Sequence, residues 1–148
     1  MYSDGSALTQ LSRHECLMLM ASVPVGRIIY TRRALPAVEL VNFALDEGDI
    51  VIRTDGSGKL AAATRGAVVA FEADQLDHAG QSGQSGWSVT AVGPSNAVTD
   101  PGELARLRTI GLTPWAPGER DHFIRISPVM LNGRRLCAGG AQLTQQSG

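Results

Sequence analysis

The sequence carries little net charge, few cysteines and no long apolar run. Its 13 basic and 14 acidic residues give a net charge of -1, which leaves no basic surface for nucleic acid or for an anionic membrane. The two cysteines, Cys16 and Cys137, are too few for a disulfide framework or a zinc knuckle. No apolar segment approaches the ~20 residues that span a bilayer. The polar N-terminus also lacks the basic and apolar regions of a signal peptide, so we expect a cytoplasmic protein.

The remaining composition is that of one ordinary globular domain. A chain of 148 residues, 43% apolar and 18% charged, is long enough to bury a core without disulfides. We expect a single domain over residues 8–136, with flexible tails at residues 1–7 and 137–148.

A short helix is predicted near the N-terminus, and strands follow it. Ser12 and Glu15 have the spacing of a capping box, and apolar residues at helical spacing continue to about Ala21, ahead of Pro24. Beyond Pro24 the apolar period falls to two, which is typical of strands. The predicted strands are residues 26–31, 37–45, 50–54, 67–72, 87–98 and 122–126.

Turns and two further helices separate these strands. Residues 46–49 predict a polar turn, and Asn132-Gly133 predicts a hairpin-type turn near the C-terminus. An alanine-rich helix is predicted over residues 59–64, and another starts at Pro101 and is ended by Gly111. Six strands with few, short helices favour a mostly β protein, a closed barrel, over a layered α/β fold.

One segment, after the third predicted strand, is the most informative about function. The strand leads into the glycine-rich turn 55–58 and then into a helix that starts at Lys59. Backbone N–H groups at a helix start favour an anion, and Lys59 adds a positive charge beside them. The hydroxyls of Thr54 and Ser57 and the guanidinium of Arg53 would complete a phosphate site. The same residues also fit a solvated turn with an incidental lysine.

Two nucleotide-binding motifs compete for this segment. A P-loop needs a glycine five positions before the Gly-Lys pair and Ser or Thr after it, where this chain has Arg53 and Leu60. Residues 56–61 do match the dinucleotide pattern, and acidic residues follow at nearly the required distance. However, Gly66 comes too soon for a crossover helix, and alternating βαβ units are missing. Neither motif is favoured.

Five segments stand in an order and spacing that is specific when they are taken together. They are Gly-Arg-Ile at 26–28, the strand 36–43, the turn 54–59, Gly-Trp-Ser-Val at 86–89 and Pro-Trp-Ala-Pro-Gly-Glu-Arg at 114–120. In this order they resemble the flavin-binding split barrels of the pyridoxamine 5′-phosphate oxidase-like family, in particular the compact branch that includes nitroimidazole-resistance-type reductases. The resemblance implies a six-stranded antiparallel split β-barrel with a few short helices. It also implies a homodimer with FMN bound between its subunits.

The resemblance implies roles for particular residues. Those that match the family's phosphate-binding segment are Arg53, Thr54, Ser57 and Lys59. Those that match the strand along the isoalloxazine ring are Val41, Asn42 and Phe43, while Trp87 matches a region that often approaches the flavin from the partner subunit. The true oxidases carry an arginine on the second barrel strand, where this chain has Glu39-Leu40-Val41, and a longer C-terminal substrate segment. Oxidation of pyridoxamine phosphate is therefore not expected.

The other titratable residues have simpler interpretations. His122 begins the last predicted strand and is the candidate for a catalytic residue near the flavin, although a surface histidine explains it as well. Glu72, Asp74 and Asp77 are expected in a solvated turn rather than in a paired acid–base site. No spacing of histidine, cysteine and carboxylate residues suits a metal.

Together these patterns predict an FMN-dependent oxidoreductase, in which the flavin supplies the redox chemistry and the protein supplies binding and orientation. The expected substrate is a small, flat, conjugated organic acceptor. Two alternatives stay open. In the first, the same fold binds a deazaflavin coenzyme or haem instead of FMN. In the second, the chain is a flavin-binding or sensing protein without turnover.

Overall fold

A computed structural model describes residues 7–54, 59–77, 85–112 and 122–137 of the chain. The elements, in chain order, are β1 (Ala7–Gln10), α1 (Arg13–Ala21), β2 (Val25–Arg32), β3 (Leu35–Asp46), β4 (Asp49–Thr54), α2 (Lys59–Thr64), β5 (Val68–Asp77), β6 (Ser85–Ala97), α3 (Pro101–Arg108), β7 (His122–Ile126) and β8 (Met130–Cys137). The predicted Ser57 and the motif at 114–120 lie outside the described residues. The proposed domain limits stay a prediction.

The helix α1 begins and ends as the sequence predicts. The Glu15 backbone N–H donates to Ser12 Oγ at 3.1 Å, and the Glu15 carboxylate accepts from the Ser12 backbone N–H at 2.9 Å. Each side chain therefore satisfies a backbone donor that the helix leaves unpaired. On the inner face of α1, Cys16 and Met20 are fully buried, which attaches the helix to one end of the sheet.

Six antiparallel strands close into a barrel, as predicted. Around the barrel the order is β2, β3, β4, β7, β6 and β5, and β5 pairs again with β2. Two strands that the sequence patterns missed, β8 and β1, extend the sheet beyond the first half of β6. The fold is therefore the split barrel that the resemblance implied, with three short helices in the described residues.

The barrel closes because β6 changes neighbours along its length. Its first half, residues 86–92, pairs with β8, and Ser95–Ala97 pairs with β7. Between them lies Gly93-Pro94, which was predicted to mark a bend. Proline has no N–H for a ladder, and a Cβ at Gly93 would lie 2.0 Å from the Ser127 carbonyl oxygen, so this close approach requires glycine.

The interior of the barrel and the underside of α3 form two separate apolar clusters. The larger one fills the barrel with side chains that are not exposed at all, including Ile28, Ile50, Ile52, Phe71, Val89, Ile124 and Ile126. The smaller one lies outside the barrel, where Leu107 and Leu112 cover Val51 and Phe123 of β4 and β7. Because side chains alternate along a strand, β4 supplies residues to both clusters.

An ion-pair network holds α3 against the β3–β4 turn. Arg106 contacts the Asp46 carboxylate through both terminal nitrogens, at 2.7 and 3.0 Å. Arg125 of β7 contacts Asp46 at 2.7 Å and Glu103 of α3 at 2.6 Å. The hydrogen bonds from Arg106 and Arg125 lower the pKa of Asp46 to about 2. Asp100, the N-cap of α3, accepts from the Glu103 N–H at 2.9 Å.

The predicted turn at Asn132-Gly133 is wrong. Both residues lie inside β8, where Asn132 pairs with Thr90 and Gly133 with Val89. A Cβ at Gly133 would lie 2.6 Å from the Cys16 Sγ atom and 3.0 Å from Leu11 Cδ1. Glycine is therefore needed here because α1 packs closely over the strand, not because the chain reverses.

Candidate functional site

Two of the four predicted phosphate-binding residues, Thr54 and Lys59, lie at the junction of β4 and α2. Thr54 ends β4, is 6% exposed and donates through Oγ1 to the His122 carbonyl oxygen at 3.3 Å. Lys59 is the exposed first residue of α2. It is also the only lysine of the chain. Thr54 and Lys59 are thus separated by only four residues, 55–58, and the predicted Ser57 is one of these four.

Arg53 lies on the outer face of the barrel, next to the end of α3. Its guanidinium carbon lies 5.3 Å from the centroid of the Phe123 ring, and Nη1 donates to the Leu112 carbonyl oxygen at 3.1 Å. Phe123 is the register partner of Arg53 on β7 and is 1% exposed. The side chain of Arg53 is thus held by two contacts from elements other than its own strand.

A surface groove of about 290 Å³ runs beside this arginine. Its walls come from β3 and from the segment after α3, and its lining residues are Pro24, Asn42, Phe43, Ala44, Ile110, Gly111 and Leu112. The register of β3 on β4, which pairs Phe43 with Ile52, brings Asn42 level with Arg53. A second groove of about 440 Å³ shares Pro24, Phe43 and Ala44 and continues past the end of α1.

Val41, Asn42 and Phe43, which were predicted to lie along the isoalloxazine ring, point their side chains to different faces of β3. Asn42 is partly buried and lines the groove, whereas Val41 and Phe43 are 7% and 4% exposed and belong to the barrel core. The Phe43 ring packs edge-on against Phe71, with centroids 4.8 Å apart. The main contribution of Val41 and Phe43 to a ligand would therefore come from their backbone.

Trp87 and His122 lie at different places in one chain. His122 is exposed and pairs with Thr54, so it adjoins the β4–α2 junction. Trp87 is 5% exposed, belongs to the core cluster and pairs with Gln75 and Arg135 on the far half of β6. It reaches a groove of about 600 Å³ between β5, β6 and β8. Within one chain, Trp87 is thus not part of the groove beside Arg53.

A broad outer face of the sheet is apolar and uncovered. The strand registers align one apolar row across five strands: Val38, Ile29, Ala70, Val92 and Met130. Val38 and Met130 are 61% and 54% exposed, and the neighbouring Leu40 is 49% exposed. An exposed apolar row of this width is typical of a protein–protein contact surface.

Two of the three acidic residues predicted in a solvated turn, Glu72 and Asp74, lie on this same face. β5 runs on to Asp77, and Glu72 and Asp74 are alternate residues of it that share the guanidinium of Arg27. Arg27 Nη1 donates to Glu72 Oε1 at 3.0 Å and to Asp74 Oδ2 at 3.1 Å. Burial, and then the adjacent Asp74 carboxyl, raise the pKa of Glu72 to about 7. The prediction of a turn is wrong. The predicted strand stopped at Glu72 because charged residues begin there, whereas β5 continues through them to Asp77.

Sequence reasoning missed the residues that surround Arg53. Phe123 and Leu112 are far from Arg53 in the sequence, and only the β4–β7 register and the position of α3 bring them together. Gly111, with φ of +83°, was recognised as the residue that ends the helix. No local signal indicated that the next carbonyl group would accept from Arg53.

Within the described ranges, no group of three or more His, Cys, Asp or Glu side chains is arranged to hold a metal ion. The helices of that part of the chain are all too short to cross a membrane.

Comparisons with known proteins give a family and several relatives. A family model described as pyridoxamine 5′-phosphate oxidase matches residues 12–135. An uncharacterized protein of Mycobacterium tuberculosis, Rv0080, is 38% identical over 136 residues, which are 88% of this chain and 87% of that protein.

Two solved structures are similar in both sequence and fold. A Corynebacterium glutamicum protein named for pyridoxamine 5′-phosphate oxidase is 30% identical, with a TM-score of 0.75 over 91% of this chain and 95% of that one. The FAD binding protein of Mycobacterium smegmatis is also 30% identical, with a TM-score of 0.67 over 87% of this chain and 98% of that one.

Proposed function

Because the chain belongs to the pyridoxamine 5′-phosphate oxidase family, as its sequence resemblance indicates, we propose that it is a flavin-binding protein. The observation that carries this proposal is the groove beside Arg53. The Asn42 side chain lines this groove, and so does Leu112, whose carbonyl oxygen accepts from Arg53. The name of the Mycobacterium smegmatis relative, an FAD binding protein at 30% identity, supports a flavin as the ligand.

The flavin that we propose is FMN, held by its terminal phosphate. Arg53 and Lys59 supply positive charge and Ser57 supplies a hydroxyl, which together suit a phosphate monoester. Thr54 would add a second hydroxyl by exchanging its hydrogen bond to the His122 carbonyl oxygen for one to the phosphate. Asn42 has an amide that can both donate to and accept from the edge of a flavin ring. When bound, the flavin would supply hydride or electron transfer. The chain's own residues would bind and orient the ring and exclude water from one of its faces.

A homodimer is the second part of the proposal. Small barrels fill their interior with side chains, as this one does, so a tricyclic ring must lie outside the barrel. The apolar row from Val38 to Met130 is the surface that suits a second copy of the chain, and two-fold pairing is the commonest arrangement of such copies. Trp87 would then reach the flavin only from the partner. Sedimentation equilibrium that finds a monomer at micromolar concentration, with flavin bound, would contradict this part.

Turnover is the third part, and its expected substrate is a small, flat acceptor such as a quinone or a nitroaromatic compound. The second barrel strand carries Glu39-Leu40-Val41 in place of the oxidases' arginine-containing motif, and Glu39 accepts a hydrogen bond from Tyr30. Burial, and then the Glu39 carboxylate, raise the pKa of Tyr30 to about 12, so this pair presents negative charge. A carboxylate here disfavours a phosphorylated substrate, which supports an unphosphorylated acceptor.

The absorption spectrum of the purified protein, followed by titration, tests the cofactor. Protein that binds FMN shows a flavin spectrum and quenched or enhanced flavin fluorescence on titration. FAD, riboflavin, a deazaflavin coenzyme and haem serve as competing ligands in the same assay. Failure to bind FMN at high micromolar concentration, with binding of haem or deazaflavin, would overturn the FMN assignment.

Substitution of Lys59 tests the phosphate contact. We expect Lys59→Ala to weaken FMN roughly tenfold to a hundredfold, because a charge-assisted contact is worth about 1.5–3 kcal/mol. Riboflavin lacks the phosphate and should lose little. Arg65→Ala, at an exposed site just beyond α2, is the control that removes one positive charge elsewhere. Equal losses for both ligands would remove Lys59 from the phosphate site.

Stopped-flow reoxidation tests turnover. FMN on the protein is reduced photochemically, mixed with each acceptor without oxygen and followed by absorbance. Reoxidation faster than that of unbound reduced FMN supports an enzyme, and its loss in His122→Ala would assign this histidine to the site. Rates no faster than those of unbound FMN across the whole panel would favour a flavin-binding protein without turnover.

A further inference from the structure

The side chain of Arg53 is anchored from two sides by groups that are themselves fixed. The guanidinium lies over the Phe123 ring, and Nη1 donates to the Leu112 carbonyl oxygen. Phe123 is 1% exposed and packs with Leu107, Leu112 and Val51 under α3. The ring therefore cannot turn away without opening that cluster. Lys59, by comparison, is exposed at the first residue of α2.

The carbonyl group that accepts from Arg53 is held in place by α3. Leu112 follows Gly111, whose φ of +83° turns the chain at the end of the helix. The helix is attached to the barrel by Arg106 and Asp46 and by Arg125 and Glu103. The two anchors of Arg53 thus come from different elements, β7 and the segment after α3, that one apolar cluster packs together.

Such anchoring matters because arginine is long and flexible. Ordering a side chain of this kind on binding costs about 1.5–2 kcal/mol of conformational entropy, and a side chain that is already ordered avoids much of that cost. The Phe123 ring and the Leu112 carbonyl oxygen together restrict where the guanidinium can lie. The edge of the guanidinium is the part that makes hydrogen bonds to a phosphate.

We propose that Phe123 is a positioning residue for the anionic group of the ligand, acting through Arg53 without contacting the ligand itself. This inference rests on the proposed function, in which Arg53 contacts the flavin phosphate. Its measurable consequence is selectivity. Loss of the ring should weaken binding of FMN but not of riboflavin, because riboflavin has no phosphate for Arg53 to contact.

The experiment compares the FMN-to-riboflavin affinity ratio in variants of the whole protein by fluorescence titration. We expect Phe123→Leu to lower the ratio about two- to fivefold, the effect of a cation–π contact at a partly exposed site. Phe123→Trp keeps an aromatic face, so its FMN-to-riboflavin affinity ratio should equal that of the wild type. Phe71→Leu is the matched control, since Phe71 is equally buried but lies in the barrel core away from Arg53. It should leave the ratio unchanged. Should Phe123→Leu fail to fold, Phe123→Met, which fills more of the space, takes its place.

Comparison with Arg53→Met separates failure of this inference from failure of the proposed function. A wild-type protein that binds FMN and riboflavin equally well would overturn the phosphate contact itself. A ratio that falls in Arg53→Met but stays at the wild-type value in Phe123→Leu would overturn the positioning role alone. In the Arg53→Met background, Phe123→Leu should have no further effect on the ratio. A further fall there would mean that Phe123 acts by a route other than Arg53, which also overturns the inference.

Discussion

Replacing Glu72 with glutamine should stabilise the folded protein in neutral and alkaline solution. Glu72 lies on the outer face of β5, is 24% exposed and shares Arg27 with Asp74. Burial and the Asp74 carboxyl raise its pKa from an ordinary 4.5 to about 7. One pKa unit corresponds to about 1.4 kcal/mol, so ionising Glu72 costs the folded state at most about 3.5 kcal/mol. Glutamine has a similar shape and can still accept from Arg27, but it carries no charge.

The sign of the pH dependence follows from where the proton is held. In the unfolded chain Glu72 ionises near pH 4.5, whereas in the folded protein it keeps its proton up to about pH 7. The folded state thus binds more protons between these values, and its stability falls as the pH rises through this range. Above pH 7 the loss is complete. Glu72→Gln should therefore match the wild type near pH 4.5 and exceed it by about 2–3 kcal/mol at pH 8.

Urea denaturation at half-unit steps from pH 4.5 to pH 8.5 measures this difference. Glu47→Gln is the control, because it removes a carboxylate from an exposed turn between β3 and β4. Its stability difference from the wild type should not follow the same curve. Parallel stability profiles for Glu72→Gln and the wild type, over the whole range, would show that folding does not shift the pKa of Glu72 and would refute the reasoning. Denaturation at several protein concentrations separates any change in dimerisation from a change in folding.

Three further substitutions test other parts of the fold. Asp46→Asn should cost about 2 kcal/mol at pH 7, since the pKa of Asp46 falls from 3.8 to about 2 on folding. Because a lowered pKa stabilises only above the unfolded value, the difference from the wild type in urea denaturation should shrink between pH 4 and pH 2. Gly133→Ala should lower thermal stability by about 1–3 kcal/mol through its contact with Cys16 Sγ, and a double-mutant cycle with Cys16→Ala should recover part of that loss. Ala34→Gly should raise stability in urea by about 1 kcal/mol, because Ala34 has a φ of +65°. No gain would mean that the turn relaxes without strain.

Local patterns were sufficient where the decisive contacts are local. The Ser12–Glu15 capping box was read directly from spacing, because the groups that it satisfies lie within three residues. The strands of the barrel were found from their period of two. Their closure into a barrel came from the count of strands and from the family resemblance.

Contacts between distant strands could not be read in this way. Asn132-Gly133 has the composition of a turn, and only the packing of Cys16 over β8 explains why glycine occurs in mid-strand. Likewise, Glu72 reads as the end of a strand until Arg27 of β2 is placed beside it. The candidate site shows the same division. Arg53 was found from its segment, but Phe123 beneath it depended on register.

The change of neighbours along β6 also gives the barrel a seam. β6 meets β7 through three register pairs, Ser95–Ala97 with Ile126–Ile124, whereas β5 and β6 share ten. Elements held by fewer paired residues open at lower free energy, so slow amide hydrogen exchange should be lost at this seam before it is lost between β5 and β6. β4, β7 and α3 lie together on one side of the seam and are tied by Asp46, Arg125 and Glu103. Opening of the seam would therefore move the groove beside Arg53 as a single body, away from the half of the sheet that carries Trp87.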